Sequence, residues 1–355
     1  MTYEELLKQP PYQVEQKQKE VWLGQMLSEL TQEHRGRCRM YGRMLDAFGV
    51  PEKIEKIADI PMMPVNAFKE YELRSIGEDK IFKILTSSGT SGQKTSKIYL
   101  DEKTADYQQK TLFRILEERL GRQRVPMLIV DSPEVLENRR MFSARGAGIL
   151  GFSIVSSRRA YMLDRDMKID WKGVSRFLEA YAGQPVLIFG FTYMIWRYFY
   201  QALKESGKHL PFERGIMIHG GGWKKMREQS VSSQQFREGI AEVSGIRKVY
   251  NYYGMAEQTG CIYLECGCGH LHASTYSDLI IRDMENFSEC PVGKEGVIQV
   301  LSPMAVSYPG HSILTEDQGI LLGIDDCPCG RKGKYFKITE RIPKTETRGC
   351  SDVYG

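Results

Sequence analysis

Three apolar runs in this chain end in glycine-bearing turns, and this constrains the fold more than any other feature. Ile81, Phe82, Ile84 and Leu85 lead into Thr86-Ser87-Ser88-Gly89-Thr90-Ser91-Gly92. Ile216-Met217-Ile218-His219 leads into Gly220-Gly221-Gly222, and Val249 to Tyr253 leads into Gly254. Short apolar runs bounded by turn residues predict buried strands. Further strands are predicted over 126–130 and 185–189, with helices over 105–120, 174–181 and 234–243 between them. Alternation on this scale predicts an α/β fold with a sheet that is at least partly parallel. In such sheets ligands lie off the carboxyl ends of the strands, where all three glycine turns would sit.

The first turn has the chemistry of a phosphate cradle. Glycines let the backbone approach a ligand, while free N–H groups and hydroxyls suit a polyphosphate. The spacing excludes the P-loop of nucleotide triphosphatases. That motif needs four residues between its glycines and then Gly-Lys-Ser/Thr. Here only Thr90 and Ser91 separate Gly89 from Gly92. Taken alone, a loop of this kind is more often a polar hairpin turn or a flexible loop.

Composition narrows the class. The net charge of +4 is too small to argue for nucleic acid, and no apolar run approaches the length of a membrane span. The N-terminus lacks a basic region followed by an apolar core, so no signal peptide is expected. Of the eight cysteines, four form two Cys-x-Cys pairs, a pattern of metal binding rather than of a disulfide scaffold. A cytoplasmic protein is expected. Residues 1 to about 50 read as helical, with Trp22, Leu23, Met26, Leu27 and Leu30 on one apolar stripe. The basic stretch 35–43 reads as a solvated helix face. Residues 60–73 are expected to pack beneath the first glycine loop, and the glycine-rich stretch 143–151 to open a close-packed helix.

Ser88-Gly89-Thr90-Ser91-Gly92 resembles the phosphate-binding signature of the adenylate-forming superfamily. Lys94 stands where that signature has proline and Thr95 where it has lysine, so Lys94 or Lys97 would supply the cation. Tyr252-Tyr253-Gly254-Met255-Ala256-Glu257 resembles the superfamily's Tyr-Gly-x-Thr-Glu segment, with Ala256 in place of the threonine. The resemblance implies that Tyr253 stacks on adenine and Glu257 binds Mg²⁺. His219-Gly220-Gly221-Gly222 resembles the adenine-side glycine segment. Thr315-Glu316-Asp317, with Arg341 downstream, resembles the Thr-Gly-Asp and Gly-Arg pair that holds ribose and phosphate. Individually each motif is weak. Their order and separation along the chain make the resemblance specific. It implies the large N-terminal domain of the acyl-CoA synthetase-like fold, with ATP and Mg²⁺ as cofactors.

The ending narrows it further. Ordinary relatives continue past the arginine into a small lid domain, whereas this sequence ends at Gly355, shortly after Arg348-Gly349-Cys350. That ending resembles the acyl-protein synthetase (LuxE) family, truncated relatives of phenylacetate–coenzyme A ligases. The expected organisation is a helical segment at 1–60, an adenylate-forming domain at 61–341 and a tail at 342–355 carrying Cys350 as acyl acceptor. The implied substrate is a fatty or other carboxylic acid, and the implied partner is an acyl reductase. A coenzyme A ligase working with a separate lid protein, or a non-catalytic nucleotide-binding scaffold, are the alternatives.

Cys266-Gly-Cys268-Gly-His270-Leu-His272 and Cys327-Pro-Cys329-Gly330 together offer four thiols and two imidazoles, the donor set of a structural Zn²⁺. Resemblance to the phenylacetate–coenzyme A ligase branch points to Cys266, His272, Cys327 and Cys329. A four-thiol set using Cys268 is the rival. Cys38, Cys261 and Cys290 read as packed thiols.

Overall fold

The central parallel strands of the computed structural model, which describes residues 1–86, 95–136 and 144–341, are buried on both faces. β4 (Val125–Ile129), β5 (Ser156–Tyr161), β6 (Val186–Phe191), β7 (Gly215–Gly220) and β8 (Lys248–Tyr253) lie side by side in the order β5-β4-β6-β7-β8, all parallel. Side chains alternate across a strand. Met127, Ile129, Leu187, Phe189, Ile216 and Ile218 therefore enter one core, while Leu128, Val130, Val186, Ile188, Met217 and Val249 enter another. α5 (Glu102–Leu120) and α6 (Ala144–Phe152) cover the first face. α7 (Trp171–Ala180), α8 (Thr192–Met194), a π-helical turn (Ile195–Gln201), α9 (Ala202–Ser206) and α10 (Ser233–Ser244) cover the second. A sheet covered on both faces is the physical reason its strands read as continuous apolar runs.

The sheet continues antiparallel. β9 (Tyr263–Glu265) and β10 (Leu271–His272) form a hairpin beside β8, and β10 pairs with β14 (Lys334–Arg341). β13 (Ser312–Ile324), β12 (Glu295–Leu301) and β11 (Asp278–Arg282) complete the order, and β1 (Met63–Pro64) adds to β13. Residues 60–73, with α4 (Ala67–Glu70), share a core with Ile98 and Leu100, on the strand that follows the first glycine loop.

At the N-terminus, α1 (Tyr3–Leu6), α2 (Gln16–Arg37) and α3 (Arg39–Ala47) match the helical expectation. Leu23, Met26 and Leu27 enter the same core as α5. α2 is also tied to the sheet by buried charge. Asp278 carries Lys19 at 3.5 Å, Lys334 at 3.6 Å and the Gln16 amide at 2.7 Å. Burial opposes ionisation of this carboxyl, but the two lysines outweigh it and hold it below its ordinary range.

One strand differs from the sequence reading. The run before the first glycine loop is not a buried strand of the main sheet. β2 (Lys83–Thr86) pairs antiparallel with β3 (Lys97–Leu100) in a separate two-stranded ribbon. Ile98 and Leu100 are buried, whereas Phe82 is 59% exposed and Ile84 46% exposed. The apolar residues of this run belong to a ribbon covered on one side. The expectation that 143–151 opens a helix is met by α6.

Candidate functional site

The carboxyl ends of β6, β7 and β8 stand level, with Phe191 opposite Gly220 and Gly220 opposite Tyr252. Glycine at 220 and 221 follows from what lies above the backbone. A Cβ on Gly220 would stand 2.5 Å from the Tyr252 ring, and one on Gly221 would stand 2.9 Å from the Phe191 ring. Gly221 also has φ +73°, which favours glycine. Among the described residues, a Cβ on Gly222 would meet nothing within 4 Å.

Beneath the turn, His219 is buried and stacks on Phe236. Thr192 Oγ1 gives its proton to the Gly220 carbonyl at 3.2 Å, so His219 Nδ1–H donates to Thr192 at 2.9 Å. Burial, with Arg237 nearby, pushes the imidazole down to about 3, and it is neutral at physiological pH.

Two motifs far apart in sequence meet here. The Tyr253 hydroxyl, at the end of β8, donates to Asp317 Oδ2 at 2.8 Å. Asp317 lies on β13, and the backbone of Arg341 on β14 pairs opposite it. Gly254 follows Tyr253 directly and is exposed. Glu257 is buried in the 3-10 turn Ala256–Gln258, and its main-chain oxygen accepts from the Tyr308 hydroxyl at 2.7 Å. Ser87, Ser88, Gly89, Thr90, Ser91, Gly92, Lys94 and Cys350 lie outside the described residues. Replacing Tyr253 with Phe removes the Tyr253–Asp317 bond, and the unfolding free energy should fall by about 1–2 kcal/mol. A urea midpoint equal to that of wild type would show that this contact contributes nothing to stability.

The same edge of the sheet holds a cluster the sequence reading passed over. Asp131 lies just after β4. It is buried, and its carboxylate lies 3.4 Å from Arg145 Nε at the start of α6. Arg145 reaches the Tyr193 hydroxyl, just after β6, at 3.3 Å. The available signal was an Asp placed at the end of an apolar strand.

The cysteine pairs come together through adjacent hairpins. β9–β10 carries Cys266 and His272, β13–β14 carries Cys327 and Cys329, and β10 pairs with β14. The ligand atoms of Cys266, His272, Cys327 and Cys329 all lie within 4.8 Å of one another. Each Cys-x-Cys is followed by a left-handed glycine, Gly269 at φ +81° and Gly330 at φ +83°. The two turns close alike, Gly269 N–H on the Cys266 carbonyl and Gly330 N–H on the Cys327 carbonyl. Cys266 Sγ is 4.0 Å from Cys327 Sγ, and Cys329 Sγ is 3.5 Å from His272 Nε2. Four tetrahedral bonds of about 2.3 Å would put donors about 3.8 Å apart, so the donor set fits such an ion. Cys268 is exposed and outside this set, while His270 Nδ1 lies 3.4 Å from Cys327. Burial pushes the Cys327 thiol up to about 12 and pushes Cys329 up as well. Cys266 moves the other way: burial works against ionisation, but the N–H groups of His270 and Cys268 and the neighbouring thiols outweigh it.

The family model of acyl-protein synthetase, LuxE, matches residues 3–355. The chain belongs to this family. This LuxE-family chain is 23% identical over 329 residues to the long-chain-fatty-acid–luciferin-component ligase of Vibrio harveyi, covering 88% of this chain and 81% of that protein. It is also 23% identical over 324 residues to the protein of the same description from Aliivibrio fischeri, covering 85% and 79%. Among solved structures it is similar to 2-hydroxyisobutyryl-CoA ligase in an open conformation with 2-HIB-AMP and CoA. That match has a TM-score of 0.71 and 15% identity, and covers 94% of this chain and 77% of that one. The fold is therefore that of the adenylate-forming ligases. No helix among the described residues is long and apolar enough to cross a membrane.

Proposed function

We propose that this chain is a cytoplasmic, ATP-dependent acyl-protein synthetase that activates a fatty carboxylic acid and takes the acyl group onto its own Cys350. The supporting observation is the Tyr253–Asp317 hydrogen bond in a LuxE-family chain. It joins the aromatic-glycine motif and the acidic motif at the carboxyl end of β8.

In this reading Gly220, Gly221, Gly222, Tyr253, Gly254, Asp317 and Arg341 hold the nucleoside part of ATP. The loop from Ser87 to Gly92, with Lys94, takes the phosphates. Glu257 offers a hard oxygen donor to Mg²⁺, which would offset phosphate charge when bound. The acid's carboxylate oxygen attacks the α-phosphorus, the bond to the bridging oxygen breaks and pyrophosphate leaves. The Cys350 thiolate then attacks the acyl carbon, a C–S bond forms and AMP departs with the electrons of the broken C–O bond. The thioester is then available to an acyl reductase partner. Residues 61–341 form the adenylate-forming unit, 1–60 an N-terminal helical segment and 342–355 the acceptor tail. Cys266, His272, Cys327 and Cys329 hold Zn²⁺ as a structural ion that contributes folding energy.

The test is pyrophosphate exchange across a panel of carboxylic acids, run beside acylation with labelled acid, for wild type and Cys350→Ser. Exchange should survive the substitution, while label on the protein falls to background. Undiminished labelling of Cys350→Ser would remove Cys350 as acceptor. Coenzyme A-dependent release without protein label would favour the coenzyme A ligase reading. No exchange with any acid would overturn the ligase reading itself.

A further inference from the structure

β8 and β9 pair antiparallel through Tyr253–Tyr263 and Tyr252–Leu264, and the ladder stops there. The next rung would set Asn251 opposite Glu265. At that point β9 runs into the first cysteine turn, where the Cys266 N–H donates to the His270 carbonyl at 2.9 Å. The Glu265 side chain spans the fork. Its Oε2 accepts the Asn251 main-chain N–H at 2.8 Å, and its Oε1 lies 2.9 Å from Arg237 Nη2 on α10. Glu265 is buried and Arg237 is half-buried. Gly269, the left-handed glycine of the cysteine turn, lies against this ion pair. A Cβ there would stand 3.7 Å from both Arg237 Nη2 and Glu265 Oε1.

The other side of the pair faces the proposed nucleotide site. Asn251 lies opposite His219, the residue that opens the glycine turn, and two positions before Tyr253. Phe236, the neighbour of Arg237 on α10, stacks on His219 with ring centroids 4.5 Å apart. The charge of Arg237 adds to burial in holding that imidazole neutral. One carboxylate therefore touches the strand that ends in Tyr253 and Gly254, the helix beneath the glycine turn, and the cysteine turn.

Stability alone is a poor reason for such a pair. Desolvation offsets the attraction, and apolar residues of similar volume often serve as well. What a carboxylate offers here is geometry: its two oxygens accept donors from two different elements at fixed positions. Glu265 also directly precedes Cys266. An ion held by Cys266 would fix the backbone of the next residue, as groups around a metal and its ligands fix one another.

We infer that Glu265 is a positioning residue for the nucleotide: it sets the end of β8 and carries closure of the cysteine turn to it. ATP and Zn²⁺ then bind with positive coupling, each tightening the other. This rests on the proposed ATP site and on the proposed zinc cluster, and adds the residue that joins them.

The experiment compares wild type, Glu265→Ala and Glu265→Gln, each with zinc bound and after chelation. Binding of labelled ATP is measured by equilibrium dialysis, zinc affinity with a chromogenic chelator, and KM by pyrophosphate exchange. In wild type, removing zinc should weaken ATP binding about tenfold, and saturating ATP should raise zinc affinity by the same factor. Glu265→Ala should still hold about one zinc per chain. It should raise KM for ATP about tenfold, leave KM for the acid unchanged and lose most of the coupling. Glu265→Gln keeps an oxygen for the Asn251 N–H but no charge for Arg237, so it should fall between the two. It carries the test if the alanine variant does not fold. Lower unfolding midpoints in both variants, with no separation of the two KM values, would reduce the pair to a structural role and overturn the inference. So would equal ATP affinity with and without zinc in the folded wild type. Failure of zinc-loaded wild type to bind ATP would remove the nucleotide reading itself, and this inference with it.

Discussion

Serine in place of Cys327 should abolish tight metal binding and lower stability by roughly 4 kcal/mol, among the largest losses a single substitution gives. In a chain of this size that is on the order of 10 °C in melting temperature. The reason is where the cysteine loop is attached. Asp325, two residues before Cys327, accepts the Gln16 N–H at the start of α2 at 3.1 and 3.0 Å, and the Gly333 N–H at 2.7 Å. Arg331, two residues after Cys329, binds Glu118 of α5 at 2.7 Å and the Leu264 carbonyl at 2.9 Å, and lies over the Tyr12 ring. One loop thus fastens α2, α5 and the N-terminal segment to the sheet. Loss of the ion should expose amides of α2 to exchange before those of β6 and β7. Elemental analysis should find about one zinc per chain.

Metal affinity should also fall with falling pH. Cys327 and Cys329 have raised thiol pKa values, so the ion must displace their protons as it binds. A colorimetric chelator should strip zinc faster at pH 6 than at pH 8. A chain that purifies without metal, and whose melting is indifferent to Cys327→Ser, would remove the cluster from the account.

How much was legible in the sequence depended on distance along the chain. The cysteine loops were legible because a knuckle is local: two thiols, one spacer and a left-handed glycine sit within four residues. The parallel strands were legible because burial on both faces leaves an uninterrupted apolar run. The same signal misled at Ile84, where an apolar run belongs to a ribbon with one open face. The Tyr253–Asp317 contact joins residues on strands in different halves of the sheet, and no periodicity announces it; motif order alone pointed there. Asp131, Arg145 and Tyr193 meet only because the ends of β4 and β6 and the start of α6 are neighbours in space.

Between pH 6.5 and pH 4 the protein should lose stability steeply, because histidines buried as neutral bases must take up protons. His34 and His311 stack at 5.1 Å in a site walled by Thr31, Tyr41, Ser75 and Ala305. The Ala305 carbonyl only accepts, so His34 Nε2–H donates to it at 3.0 Å, and Nδ1 accepts from the Ser75 hydroxyl at 2.7 Å. Thr31 gives its proton to the Leu27 carbonyl, so His311 Nε2–H donates to Thr31 at 2.9 Å, and His311 Nδ1 is buried without a partner among the described residues. Burial drives His34 down to about 4, outweighing the bond to Ala305, and it drives His311 well below its ordinary value, helped by His34. The unfolded chain titrates these groups near 6.5 and therefore binds more protons than the folded chain below that pH. Stability falls as pH drops through this window, and the His34 contribution levels off near its folded value of about 4. Each unit of depression is worth about 1.4 kcal/mol, so His34 alone accounts for roughly 3 kcal/mol by pH 4. His219 acts in the same direction, whereas Asp283, held near 2 by the Lys294 hydrogen bond, acts only at lower pH. Urea midpoints measured from pH 7.5 to 4.5 should fall throughout the lower part of that range. His34→Gln should flatten the slope while lowering stability at pH 7.5. A wild-type midpoint constant down to pH 5 would mean that these rings are already protonated, or reached by water, in the folded protein.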